Sequence, residues 1–174
     1  MKINRIWAMP NKHTFLIKPI KQLLEKYNVN SNWVDPFAGE NSPAEFTNDL
    51  NPNKPTNHHL HALDFCNILG GEYDGVLFDP PYSLRQVKEC YDSIGINKLS
   101  QEDTNHFPRN VRNAIAPKIK LGGYCISFGW SSEGIGMKAG FEIEEILLVA
   151  HGGKHNDTIA TVEKKHREQL KLEI

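Results

Sequence analysis

The chain of 174 residues lacks any apolar run near the roughly 20 residues that cross a bilayer, so a membrane-spanning helix is not expected. It has only three cysteines, Cys66, Cys90 and Cys125, with no C-x-x-C pair among them. That excludes a disulfide framework and the usual cysteine-based zinc sites. The opening Met-Lys-Ile-Asn-Arg-Ile has no apolar core of the secretory kind, and a reducing cytoplasm is the expected location. An excess of one charge is also missing: the net charge is −1. Internal repeats, linkers and low-complexity stretches are absent too, so residues 1–174 are expected to form a single domain.

Charge is uneven locally. Residues 1–30 carry Lys2, Arg5, Lys12, Lys18, Lys21 and Lys26 against Glu25 alone. Residues 85–120 are also basic on balance, and a phosphate-tracking surface or solvated helix faces would both account for this. Apolar periodicity predicts a helix within 15–27, with Pro19 in its first turn, and further helices over 65–69, 84–94 and 105–120. Strands are expected at 32–35, 45–49, 59–63, 75–78 and 123–128, then a hairpin of 141–150 with 157–163. Alternating strands and helices imply an α/β fold with a mostly parallel seven-stranded sheet ending in an antiparallel hairpin. In such sheets ligands sit beyond the carboxyl ends of the strands. Asp35, Asp49, Asp64, Asp79 and the segment Phe128-Gly129-Trp130 are all expected at that edge, with the turn 151–156 beside them.

Two motifs stand out at those strand ends. Asp79-Pro80-Pro81-Tyr82 follows the apolar run Gly75-Val76-Leu77-Phe78. Consecutive prolines neither continue a helix nor donate to a ladder, so they stiffen the loop and fix the carboxylate and the ring that flank them. An acidic acceptor beside a rigid ring suits a planar group bearing an NH₂. The bland alternative is a Pro-Pro turn with Asp as a turn-former. Upstream, Val34-Asp35-Pro36-Phe37-Ala38-Gly39 is a second strand ending in Asp-Pro, and Gly39 opens a tight turn.

With both motifs in this order, the chain resembles the S-adenosylmethionine-dependent amino-methyltransferases, and more closely the small adenine-specific DNA methylases of phages and mobile elements. The resemblance covers roughly residues 9 to 165. It implies a Rossmann-like class I methyltransferase fold, methyl transfer from S-adenosylmethionine to the exocyclic amine of adenine in DNA, and DNA as the partner. The Asp79-Pro80-Pro81-Tyr82 loop would hold the target amine, with Tyr82 as the stacking platform for a flipped base. The loop Asp35, Pro36, Phe37, Ala38 and Gly39 would cradle the methionine part of the cofactor. Lys18-Pro19-Ile20-Lys21-Gln22-Leu23-Leu24 is similar to a K-P-x-x-L-L segment of that family, and the turn before it nominates Thr14 and Phe15 as further cofactor contacts.

Asp49 would accept both ribose hydroxyls, or else form an Asx-turn before Pro52. Asp64 would accept from the cofactor's adenine amine with Phe65 packed on that ring, or else cap a helix. Trp130, His151, His155 and Asn156 are the expected substrate-side residues, with Trp130 alternatively a buried aromatic. The histidine sets 58, 59, 61 and 151, 155 lack metal-site spacing, so no metal is expected.

The sequence departs from larger relatives in two ways. Only nine residues separate Gly39 from Asp49, and the next crossover is short as well, so the cofactor-side helices are expected to be reduced. A separate target-recognition domain is not expected; specificity would come from loops such as 95–110, from a homodimer or from a partner. The alternatives are an RNA amino-methyltransferase acting on guanine or adenine, and an inactive cofactor-binding subunit.

Overall fold

The computed structural model describes residues 1–81, 83–92, 94–95 and 107–168. Its strands are β1 (Lys2–Trp7), β2 (Trp33–Asp35), β3 (Phe46–Thr47), β4 (Tyr73–Phe78), β5 (Ile119–Gly129), β6 (Phe141–Ala150) and β7 (Thr158–Lys165). The helices are α1 (Lys18–Lys26), α2 (Ala62–Ile68), α3 (Leu84–Asp92) and α4 (Phe107–Ile115). One seven-stranded sheet runs in the order β1-β6-β7-β5-β4-β2-β3. All neighbouring pairs are parallel except those of β7, which is antiparallel to both β5 and β6. The carboxyl ends of β1 to β6 therefore lie along one edge, joined there by the turn into β7.

Helices cover both faces. The α1 stripe Ile20, Leu23 and Leu24 packs with Leu77, Ile126, Leu147, Val149 and Val162. Pro19 stands in its first turn, where a missing N–H costs nothing. On the opposite face α2 supplies Phe65 and Cys66, and α4 supplies Phe107, Val111 and Ile115 at a spacing of four, against Val76, Phe78 and Cys125. Pro108 sits in the first turn of α4, and Pro117 turns its end into the 3₁₀ segment Ala116–Lys118. Each fully buried Leu, Ile or Phe contributes roughly 1.5–3 kcal/mol of burial. Gly75 is required by packing, because a Cβ there would stand 2.6 Å from the Trp33 ring.

Two elements differ from the sequence reading, and they cancel in the strand count. The strand expected at 59–63 does not form. Just before it His58 makes only an isolated bridge with Asn48, and α2 already begins at Ala62. The physical reason is that the Asn48 side chain, not a neighbouring strand, takes up the backbone of Leu60. Asp64 therefore lies in the first turn of α2 rather than at a strand end. The seventh strand is instead β1, at the other edge. Asn4 Nδ2 donates to Glu145 Oε1 of β6 at 3.1 Å, and Tyr27 donates to Glu145 Oε2 at 3.0 Å beside a Lys26 ion pair. This polar knot ties β1, β6 and α1 together. Among the described residues no helix is long and apolar enough to cross a membrane.

Candidate active site

A cavity of about 630 Å³ opens at the carboxyl edge, between the ends of β2, β3 and β4 and under α3. Its volume falls within the range of cofactor pockets, roughly 300–1,000 Å³. Pro36 and Phe37 from the loop after β2, Asp49 after β3, and Asp79, Pro80 and Pro81 after β4 all line it. The two Asp-Pro loops thus face one space. Thr14 and Lys12 contribute from the segment before α1, and Gln86, Val87, Glu89, Cys90 and Tyr91 from α3. Tyr82 lies outside the described residues, as does most of the 95–110 loop expected to carry specificity.

The loop after β2 is fixed by buried polar contacts. Asp35 is fully buried and sits beneath the cavity wall rather than in it. Its Oδ1 accepts from the Phe37 N–H at 2.9 Å and its Oδ2 from the Ser42 hydroxyl at 2.6 Å. Burial pushes its carboxyl up to about 7, the Ser42 and Phe37 bonds oppose this, and the charges of Asp79 and Asp49 add to it. Ala38 is buried and its N–H donates to the Asn48 carbonyl at 2.9 Å. Gly39 has φ +59, where a side chain is disfavoured, and its N–H reaches Asp49 Oδ2 at 3.1 Å.

Asp49 forms the Asx-turn and faces the cavity at once. Its Oδ1 accepts from the Asn51 N–H at 2.8 Å, while Oδ2 holds Gly39. The carboxylate therefore links the loops after β2 and β3, and its remaining lone pairs are available to a ligand's hydroxyls. Lys54, also in the wall, bonds Glu40 Oε1 at 2.6 Å across the rim.

The other expected residues separate. Phe15 turns away into the α1-side core, 5.4 Å from Phe128. Phe65 is fully buried in the opposite core, packed on His58 at 5.3 Å, and Asp64 is exposed. None of the three lines the cavity. Trp130, at the end of β5, is 51% exposed and stands outside the wall. His151 is buried: its Nδ1–H donates to the Ala8 carbonyl at 2.9 Å and its Nε2 meets the Thr158 hydroxyl at 2.9 Å. It is a clamp between the β1 exit and the hairpin. His155 and Asn156 are exposed in the turn beyond it.

The sequence reading passed over Asn48, which organises the site. Its Nδ2 donates to the carbonyls of Pro36 at 3.1 Å and Leu60 at 2.9 Å, and its Oδ1 accepts from the Leu60 N–H at 2.9 Å. Three segments of the cavity wall meet on that one amide. The available signal was the shortness of the 50–58 crossover, which leaves backbone groups that a ladder cannot satisfy. His61, packed 5.0 Å from Phe107, was likewise read as a strand residue and is a wall residue.

No family model matches the sequence, and no curated protein matches it. Solved structures do. An rRNA methylase from Streptococcus thermophilus is similar with a TM-score of 0.52 at 11% identity, covering 92% of this chain and 100% of that one. SMU.1697c of Streptococcus mutans, a candidate methyltransferase solved in complex with SAH, is similar with a TM-score of 0.51 at 9% identity, covering 83% and 96%. TrmN from Thermus thermophilus gives 0.52 at 14% identity, over 86% of this chain and 49% of that one. The chain has the Rossmann-like fold of these structures. Within that fold the cavity lies where an open α/β sheet places its ligands, beyond the carboxyl ends of the central strands.

Proposed function

We propose that this protein transfers a methyl group from S-adenosylmethionine to the exocyclic amine of adenine in DNA. The observation that carries the reading is the convergence of the Asp35-Pro36-Phe37 loop, Asp49 and the Asp79-Pro80-Pro81 loop on one cavity. The residues present fit the cofactor: a carboxylate at the end of β3 for ribose hydroxyls, apolar walls from Leu50, Leu60 and Ala62 for the adenine, and a pocket of suitable size. The fold similarity to a structure solved with SAH supports the same reading.

When bound, the cofactor would supply an electrophilic methyl on a sulfonium; the amine would gain that methyl and lose a proton to solvent, and the cofactor would leave as its thioether. The chain's own part is alignment and charge stabilisation. Asp79 and the Pro80 carbonyl accept hydrogen bonds from the amine, which favours a pyramidal nitrogen and stabilises its developing positive charge. The two prolines hold those acceptors without competing N–H donors. Alignment within about 3–3.5 Å of the methyl contributes the remainder. Tyr82 would stack on the base. A second reading, an amine in RNA, draws support from the rRNA methylase among the similar structures.

The test is methyl transfer from labelled cofactor to duplex DNA, single-stranded DNA and RNA, by the wild type and by Asp79→Ala. The expected result is N-methyladenine in DNA, lowered about 10³-fold in the variant, with cofactor binding by calorimetry retained. Transfer to RNA alone would replace the substrate assignment. Transfer undiminished in Asp79→Ala would end the proposed clamp, and cofactor binding without transfer to any of the three would leave the inactive-subunit reading.

A further inference from the structure

The carboxyl edge continues past the cavity, and there the chain exposes aromatic and basic side chains together. β1 ends at Trp7, which is 62% exposed, and Met9 beyond it is 69% exposed. The Trp7 indole nitrogen lies only 3.4 Å from where a Cβ on Gly152 would stand, so the ring rests against the β6–β7 turn. Both segments are held rigidly. The Ala8 N–H donates to the Ala150 carbonyl at 3.0 Å, His151 bonds the Ala8 carbonyl, and the His151 N–H donates to Asp157 Oδ1 at 3.1 Å. A large exposed indole on a doubly anchored backbone has no role in the core.

Position and charge narrow what it serves. From Trp7 the chain runs directly to Lys12 and Thr14 in the cavity wall. The sheet order then places the ends of β1, β6, β7, β5 and β4 in succession. At about 4.8 Å per strand, Trp7 stands about 14 Å from the end of β5, where Trp130 is exposed, and about 19 Å from the end of β4, where Asp79 is. Arg5, Lys12 and Lys154 lie on this stretch, against Asp157, whose carboxylate already accepts the His151 N–H, and Glu40 near Lys12, which Lys54 already pairs. The ledge is therefore cationic and carries flat apolar rings. A second copy meeting this patch with its own would bury the rings, but it would set Arg5, Lys12 and Lys154 against the same like charges. A polyanion with stackable faces meets both features.

We infer that the Trp7–Lys12 strap and the adjoining 151–156 turn form a docking ledge for the DNA strand flanking the target base, with Trp7 as a stacking platform and Arg5, Lys12 and Lys154 facing phosphates. The inference rests on the proposed function for the identity of the strand, but its test does not depend on methyl transfer. Trp33 is buried, so in Trp130→Phe the exposed-tryptophan fluorescence comes from Trp7. Titration of that variant with an oligonucleotide containing no adenine should quench and shift the emission. Trp7→Ala should weaken oligonucleotide affinity about tenfold, the usual size of one base–aromatic contact, with cofactor affinity unchanged. Lys154→Ala should lower the slope of affinity against salt by about one.

Unaltered DNA affinity in Trp7→Ala, or no change in Trp7 emission, would overturn the ledge even if methylation of DNA proceeds. Binding of RNA more than tenfold tighter than DNA would overturn the choice of strand. Self-association that is lost in Trp7→Ala, without quenching by DNA, would assign the surface to a second copy instead. A wild type that methylates no nucleic acid would defeat the proposed function, while the quenching arm still decides the ledge.

Discussion

The two ends of this sheet are assembled by different means. On the β2–β3 side the strands have three and two residues, and the loops they deliver are fastened by single side chains. Asn48 ties three segments, Asp49 ties two, and the Asn57 Oδ1 accepts from both the N–H and the hydroxyl of Thr47 at 2.8 Å. On the β5–β6–β7 side the strands have eleven, ten and eight residues, and the main-chain ladder does the fastening. A ladder spreads its free energy over many equivalent bonds, whereas a side-chain staple concentrates it in one residue. The cavity is built on the stapled end, so its geometry depends on a few polar atoms.

The largest test of this contrast pairs Asn48→Ala with Thr161→Val. Asn48 is 1% exposed, and its removal leaves the buried Pro36 carbonyl and the half-buried N–H and carbonyl of Leu60 without their partner. The expected loss is about 3 kcal/mol of unfolding free energy. Thr161 is buried in β7, and its hydroxyl has no hydrogen-bond partner among the described residues. Replacing it with valine should be neutral or stabilise by about 1 kcal/mol. Urea denaturation of the two variants measures both; equal losses would mean that the ends are not held differently.

Cofactor affinity gives the next test. Asp49→Ala removes a carboxylate that joins two loops and faces the cavity, and S-adenosylmethionine affinity should fall roughly 10–100-fold, as for a hydrogen bond to a charged group. Asp157→Ala removes an acid with a similar local task on the hairpin side, where it accepts the His151 N–H. Its cofactor affinity should stay within about twofold of wild type, because the ladder still places the turn. Calorimetric titration of both variants decides this, and unchanged binding in Asp49→Ala would remove the ribose assignment.

Legibility in the sequence followed the same division. The β6–β7 hairpin and β5 were readable because long apolar alternation is a local signal, and α1 because Pro19, Ile20, Leu23 and Leu24 mark both its start and its stripe. The Asp-Pro loops were readable because each follows an apolar strand. The 59–63 segment alternates well enough for a strand, yet its backbone is claimed by an asparagine twelve residues away, which no local pattern reveals. β1 was missed for the converse reason: Ile3 and Ile6 fall on opposite faces, and the strand is held by Glu145 from the far end of the chain. Asp64 and Phe65 were placed at the site only because a strand was expected to end there. Phe15 was placed there from the turn before α1, without information on which way its ring points.

A buried acid stands on each side, and pH separates the two. The Asp35 carboxyl is raised to about 7 by burial, against the lowering bonds of Ser42 and Phe37 and with the help of Asp79 and Asp49. Glu163 in β7 is also raised by burial, but two backbone N–H groups, of Ile135 and Gly136, and the Arg112 charge oppose it. For a carboxyl raised on folding, the native state binds the extra proton between the ordinary carboxylate range and the raised value. Stability is then full below about pH 4 and is lost as pH climbs towards 7. Asp35→Asn keeps the Phe37 acceptor and can donate to Ser42, so it should flatten most of that decline and gain its largest relative stability above pH 7. Glu163→Gln should flatten it less. Urea midpoints measured from pH 4 to 8 for the wild type and both variants would show it. A wild-type slope preserved in Asp35→Asn would mean that the stapled end does not carry the titration, and that Asp35, beneath the wall, feels the charges of Asp49 and Asp79 in it less than their proximity implies.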